Sequence, residues 1–181
     1  LCQVVWSTTS RCRFDPPPSY DMSPNIMTDA KHIVLKPVDM SGLKKRELRT
    51  QFGALCWREH MGKLEVLMIT SRTSKRWIIP KGWPMNGATA AEAAATEAWE
   101  EAGVVGKTSD QCAGIYSYRK DLGGKSVPVV VAVFPVRVKK LKKTYPEAGL
   151  RKLRWMKPSK AAGLVAEPEL RGILKAFRPP A

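Results

Sequence analysis

From Gln51 onward the chain alternates short apolar runs with polar turns. QFGALCW (51–57) and LEVLMIT (64–70) flank a turn containing Gly62 and read as a strand pair. RWIIP (76–80) reads as a short third strand. TAAEAAATEAWEEAG (89–103) carries three helix signals. Thr89 and Glu92 have the spacing of a capping box, the interior is rich in alanine, and Gly103 stands where a left-handed stop is expected. GIYSYRK (114–120) and VPVVVAVFPVRV (127–138) predict a hairpin around Gly123-Gly124. LRKLRWM (150–156) predicts a further strand, and SKAAGLVAEPELRGILKAF (159–177) a closing helix with a break near Pro168. Strands before, between and after two helices predict an α/β (α+β) sandwich with a mixed sheet.

Before Gln51 the periodicity is lost. Residues 1 to about 30 contain Pro16-Pro17-Pro18, Pro24 and scattered Ser and Thr, the composition of a disordered arm. Residues 31–50 form a bridge whose basic run, Lys44-Lys45-Arg46, reads as exposed. The resulting division is an arm or extended segment at 1–45 and a folded domain at 46–178. A chain of 181 residues with 44% hydrophobic content suits one such domain plus a tail.

Charge changes this picture more than composition does. Lys and Arg number 31 against 16 acidic residues, a net charge of +15, which implies either attraction to a polyanion, whether nucleic acid, an anionic membrane surface or a phosphate-rich small molecule, or a solvated basic surface with no dedicated partner. The four cysteines, Cys2, Cys12, Cys56 and Cys112, contain no C-x-x-C pair. Cys56 and Cys112 lie in apolar runs and read as small core residues, and a reducing cytoplasm fits this usage. No apolar run is long enough to cross a bilayer, and LCQVVW lacks the basic leader of a signal peptide, so no membrane association is expected. His32 and His60 stand too far apart to suggest a catalytic dyad. Trp77, Trp83, Trp99 and Trp155 read as core or rim packing, with Trp83 placed where it could touch a ligand.

The chemistry concentrates in PKGWPMNGATAAEAAATEAWEEAGV (80–104). Glu97 and Glu101 are four residues apart and share a helical face, and Glu100 adjoins it. Like charges at this spacing weaken a helix, and acids at a helix C-terminus also oppose its dipole. A divalent cation removes both penalties, and Mg²⁺ takes oxygen ligands while keeping positions open for water and phosphate. The competing interpretation is a solvated acidic face.

Residues 82–104 resemble the Nudix box, G-x5-E-x7-R-E-U-x-E-E-x-G-U, in which U is a bulky apolar residue. Gly82, Glu97, Glu100, Glu101, Gly103 and Val104 match in register; Ala98 is a small apolar residue at a U position. Ala88 replaces the first glutamate and Thr96 the arginine, two positions that tie loop to helix in the family. With the flanks TQFGALCWR (50–58), LEVLMITSRTSKRWIIPKGWP (64–84) and the EPEL-containing terminal helix, residues 45–177 look like the diphosphoinositol polyphosphate phosphohydrolase branch of that family.

The resemblance implies a Nudix-type α/β/α sandwich at 46–178 that hydrolyses a phosphoanhydride in a nucleoside diphosphate linked to another group, or in a diphosphoinositol polyphosphate. The implied cofactor is Mg²⁺, with Mn²⁺ able to stand in. Implied metal ligands are Glu97, Glu101 and the Gly82 carbonyl, with Glu100 as a further ligand or as the general base; all three glutamates are the catalytic set. Ser71, Arg72, Arg76, Lys81, Arg151 and Lys152 are the implied phosphate contacts. Glu147, in YPEAG (145–149), stands in a loop from which some Nudix proteins take an extra ligand, though an ordinary surface acid is the simpler expectation. Two alternatives stand beside this: a dinucleoside polyphosphate or nucleotide pyrophosphohydrolase, and a catalytically weak Nudix-fold module that binds RNA through its basic surface. The second is less favoured because all three helix glutamates are retained.

Overall fold

The computed structural model describes residues 49–180, so the arm expected at 1–45 lies outside the described residues. Eight strands and three helices follow one another as β1 (Arg49–His60), β2 (Lys63–Thr70), β3 (Trp77–Ile78), β4 (Lys81–Gly82), α1 (Ala90–Ala102), β5 (Val104–Thr108), β6 (Gly114–Leu122), β7 (Lys125–Leu141), β8 (Leu153–Met156), α2 (Pro158–Leu164) and α3 (Pro168–Ala176). All eight strands join one sheet, with β3-β2-β1-β7-β5 in sequence across it. The β1–β7 pairing is parallel and the others are antiparallel, so the sheet is mixed as expected.

Two-residue alternation explains how both faces of this sheet are covered. On β1, Leu55 and Trp57 point to one side and Ala54 and Cys56 to the other; on β2, Val66 and Met68 oppose Leu67 and Ile69. The first side packs against Ala161, Leu170, Ile173, Leu174 and Phe177 of the C-terminal region. The second packs against Ala91, Ala94, Ala98 and Ala102, one stripe of α1. Small residues on that stripe let α1 lie close to the strands. The result is the α/β/α sandwich.

The capping box at Thr89 and Glu92 is present in both directions, and Gly103 ends α1 with φ 67°. The expected third strand is present in shorter form as β3, which pairs with β2; a separate β4 follows it and pairs with β1, and the Pro80 carbonyl accepts from Ala54 N between them. The closing helix also divides, into α2 and α3, because Pro168 begins the second and cannot continue the first. β5 was not foreseen; Gly106 and Lys107 disguise a short edge strand whose register shifts at Val105/Gly106. Cys56 is buried, but Cys112 is exposed and corrects the expectation of a core residue. It sits in the turn between β5 and β6, where the chain leaves the sheet.

Candidate active site

Three connections bring the acidic end of α1 against the strands. First, β4 pairs with β1 through Phe52–Gly82 and Gly53–Lys81, which carries Lys81 and Gly82 beneath the helix. Gly82 is required there by space: a methyl group on it would overlap the Glu97 carboxyl group. Second, the Lys81 backbone N–H donates to Glu101 Oε2 at 3.1 Å. Third, the segment after β7 is pinned to the helix end. Lys142 N donates to Gly103 O at 2.8 Å, Glu147 N to Glu100 O at 3.0 Å, and the Tyr145 ring lies 6.2 Å from that of Trp99.

The third connection delivers Arg151 into the acid cluster. Its guanidinium pairs with Glu101 Oε1, donates to Glu147 Oε2 at 2.7 Å, and donates to the Thr70 carbonyl at 3.1 Å. Both Arg151 and Glu101 are almost fully buried, with side chains 6% and 9% exposed. Arg72 reaches Glu147 Oε1 from the outside at 3.5 Å. Thus Glu147, anticipated as a surface acid, is drawn into the same cluster, and Arg151, expected to contact phosphate, contacts carboxylates.

The electrostatics follow from burial and crowding. Burial, then Glu101, Glu100 and Glu147, push the Glu97 carboxyl up to about 7. Burial also raises Glu101, opposed by Arg151 and by the Lys81 charge and N–H. Lys81 is held below its usual range by burial, with Glu101 pulling the other way. Glu101 has acquired an internal counter-charge, whereas Glu97 has carboxylates for neighbours.

This is the donor chemistry a hard cation takes: clustered carboxylate oxygens with one member destabilised in its charged form. Glu97, Glu100 and Glu101 would hold a divalent cation, with Gly82 adjoining Glu97. They do not stand as a ready cage, since among the described residues no three Asp, Glu, His or Cys side chains are arranged for ligation. Glu101 is instead paired with Arg151.

A cleft of about 580 Å³ opens beside Glu101. Ser71, Arg72, Arg76, Lys81 and Arg151 line it, so five of the six expected phosphate contacts share one wall system. Ser71 is partly committed to its own turn, with its hydroxyl 2.7 Å from Ser74 Oγ and accepting from Arg76 N at 3.2 Å. Lys152 is the exception: it is exposed and outside the lining, and its backbone N–H donates to Thr70 Oγ1 at 3.0 Å.

Sequence reasoning missed other lining residues of the cleft, among them Gln51, Tyr116, Tyr118, Lys120 and Glu167. The Tyr118 hydroxyl donates to Gln51 Oε1 at 2.7 Å. The two-residue spacing of Tyr116 and Tyr118 on a predicted strand placed them on one face, but nothing in the pattern said which. Trp83 lies beneath the Lys120 ammonium, 5.0 Å from its ring centre, and packs against the core.

An α/β/α sandwich whose helix end presents carboxylates beside a basic cleft defines a class of fold and site, and comparison with known proteins specifies it. The NUDIX domain model matches residues 47–177, and the chain belongs to that family. It is 30% identical over 121 residues to Nudix hydrolase 13, mitochondrial, of Arabidopsis thaliana, covering 64% of this chain and 60% of the relative. Nudix hydrolase 12, mitochondrial, of the same plant is 30% identical over 127 residues, 66% of this chain and 61% of the relative. The chain therefore spans about three fifths of the length of these relatives. Among solved structures, a C. elegans Ap4A hydrolase binary complex shares the fold at 21% identity and TM-score 0.54, covering 70% of this chain and 93% of that one. The E. coli dihydroneopterin triphosphate pyrophosphohydrolase does so at 17% identity and TM-score 0.57, covering 71% and 93%. Nudix hydrolases generally use divalent metal cations. No helix among the described residues is long and apolar enough to cross a membrane.

Proposed function

We propose that this protein is a Mg²⁺-dependent hydrolase of a phosphoanhydride bond, acting on a nucleoside diphosphate-linked compound or a diphosphoinositol polyphosphate. The observation that carries the reading is the junction of β4 with α1. There the Glu97 carboxylate fills the space left by Gly82, Glu101 is tethered to Lys81, and the basic cleft begins at Lys81.

Each residue then has a physical task. Glu97, Glu100 and Glu101 hold the cation, which when bound neutralises charge developing on the phosphoryl oxygens. Glu100, which like Glu97 has no side-chain hydrogen bond or ion pair among the described residues, is assigned to the attacking water, from which it takes the proton. Lys81, Arg72 and Arg76 offer cationic donors to the bridging and terminal phosphates. Arg151, buried against Glu101 and Glu147, acts as a positioning residue that holds Glu101 beside the cleft and ties it to Glu147. Lys152 has no place in this arrangement beyond its backbone.

The test is hydrolysis of ADP-ribose, diadenosine tetraphosphate, nucleoside triphosphates and a diphosphoinositol pentakisphosphate with Mg²⁺, repeated with chelator, for wild type, Glu100→Gln and Glu101→Gln. Cleavage that requires Mg²⁺ and falls about 10²–10⁴-fold in Glu100→Gln is expected for loss of a general base. Cleavage unchanged in both variants overturns the reading, and salt-sensitive RNA binding without hydrolysis replaces it with a binding module. A cytoplasmic site of action is part of the proposal; the Arabidopsis relatives carry mitochondrial names, and cell fractionation decides between the compartments.

A further inference from the structure

The cleft is lined by Lys81, Arg72, Arg76, Arg119 and Lys120, yet it also contains Glu167. Glu167 is buried, at 9% exposure. It occupies the N-cap position of α3, but its side chain makes no capping hydrogen bond. Among the described residues its Oε1 has only a long ion pair to Arg76, at 3.6 Å. Its Oε2 is buried and has no hydrogen-bond partner among the described residues. A carboxylate held this way has given up water without receiving donors in exchange, which is unfavourable. Neither the helix nor the core uses it. Glu167 lines the same cleft as Glu101, with Tyr116, Tyr118 and Gln51 beside it.

A phosphate at this end would meet a fixed negative charge. A sugar hydroxyl or a base N–H would meet an acceptor that lacks a donor, and the terminal torsion of a glutamate is soft enough to aim either oxygen. We propose that Glu167 is a specificity-determining acceptor: it receives a hydrogen bond from a neutral donor on the non-phosphate part of the substrate. This rests on the phosphoanhydride reading above and selects within it, favouring a nucleoside-bearing substrate over a fully phosphorylated inositol. Arg76 bridges the two halves of the site, facing phosphate on one side and Glu167 on the other.

The experiment is calorimetric titration with Mg²⁺ present, comparing wild type, Glu167→Gln and Glu167→Ala. The ligands are α,β-methylene-ADP, its 2′,3′-dideoxy form, and inositol hexakisphosphate. The expected result is that both variants weaken α,β-methylene-ADP about tenfold and tighten inositol hexakisphosphate, at a melting temperature no lower than that of wild type. If the dideoxy form binds like the variants and no longer responds to substitution, the donor is a ribose hydroxyl; if it keeps the tenfold response, the donor is on the base. Equal weakening of both ligand classes, no change in either, or failure of wild type to bind α,β-methylene-ADP overturns the proposal. A variant too unstable to titrate is replaced by Glu167→Asp, which keeps the charge, shortens the reach and is expected to fall between wild type and Glu167→Ala. Because the readout is binding, a Glu167-dependent affinity in a protein that hydrolyses nothing sinks the enzyme reading alone. Hydrolysis without Glu167 dependence sinks this one alone.

Discussion

Gly82→Ala separates the site from the fold. Gly82 has no left-handed backbone angle that would penalise alanine, so the strand pairing to Phe52 can persist. The new methyl instead lands on the Glu97 carboxyl group; even the more distant oxygen, Oε2, would lie at 2.5 Å. Ordinary non-bonded contact is about 3.5 Å, so the carboxylate must retreat by roughly 1 Å or more. The moving atoms are the end of a flexible side chain, which keeps the effect on folding within about 1 kcal/mol. A displacement of that size at a reacting centre lowers rate by about 10²-fold, or about 2.7 kcal/mol of transition-state stabilisation. The assay is kcat/KM for pyrophosphate cleavage in Mg²⁺ alongside a thermal melt. Full activity in a folded Gly82→Ala protein would show that Glu97 has no role where Gly82 places it; loss of activity together with loss of the fold would show that the glycine serves the sheet.

Three further outcomes follow from the same geometry. In chelator, Glu97→Gln should stabilise the protein at pH 8 relative to pH 5. The folded carboxyl is raised to about 7 from an ordinary 4.5, so its contribution is complete below about 4.5 and is lost as pH rises through about 7. A full shift of that size corresponds to roughly 3 kcal/mol, which screening at a half-buried position reduces to about 1–2 kcal/mol; parallel stability–pH curves for the two proteins would refute it. Arg151→Met should lower stability by roughly 3–5 kcal/mol in chelator, because Glu101 and Glu147 lose their buried counter-charge. Mg²⁺ should return part of that loss in a denaturant titration, whereas recovery equal to that of wild type would mean the cation binds elsewhere. The apparent Mg²⁺ affinity should fall below pH 7 as protons compete for Glu97, and a calorimetric titration that is flat between pH 5 and 8 would contradict this.

Much of the fold was legible because its signals are local. The Thr89–Glu92 box and Gly103 mark α1 to within a residue, and the Gly123-Gly124 pair marks the β6–β7 turn. What escaped was set by tertiary pairing. β4 is a two-residue strand with no periodicity of its own, defined by its pairing with β1, and β5 is defined by its pairing with β7. The same division applies to the site. Glu97, Glu100 and Glu101 were visible as one helical face, and Gly82 through its register with them. The role of Arg151 was invisible, since its partners Glu101 and Thr70 are 50 and 81 residues away and meet it only in three dimensions. Glu167 was hidden for a related reason: an acid before a proline looks like a helix start, and only the folded chain shows its side chain turned from the helix into the cleft.

The central claim is that the carboxylates at the end of α1 hold a divalent cation. Its most direct test is Mn²⁺ binding, followed by electron paramagnetic resonance, to wild type, Glu97→Gln and Glu101→Gln. Saturable binding by wild type and at least tenfold weaker binding by both variants is the predicted result. A wild type that leaves Mn²⁺ free, or variants that bind it as wild type does, would contradict the account.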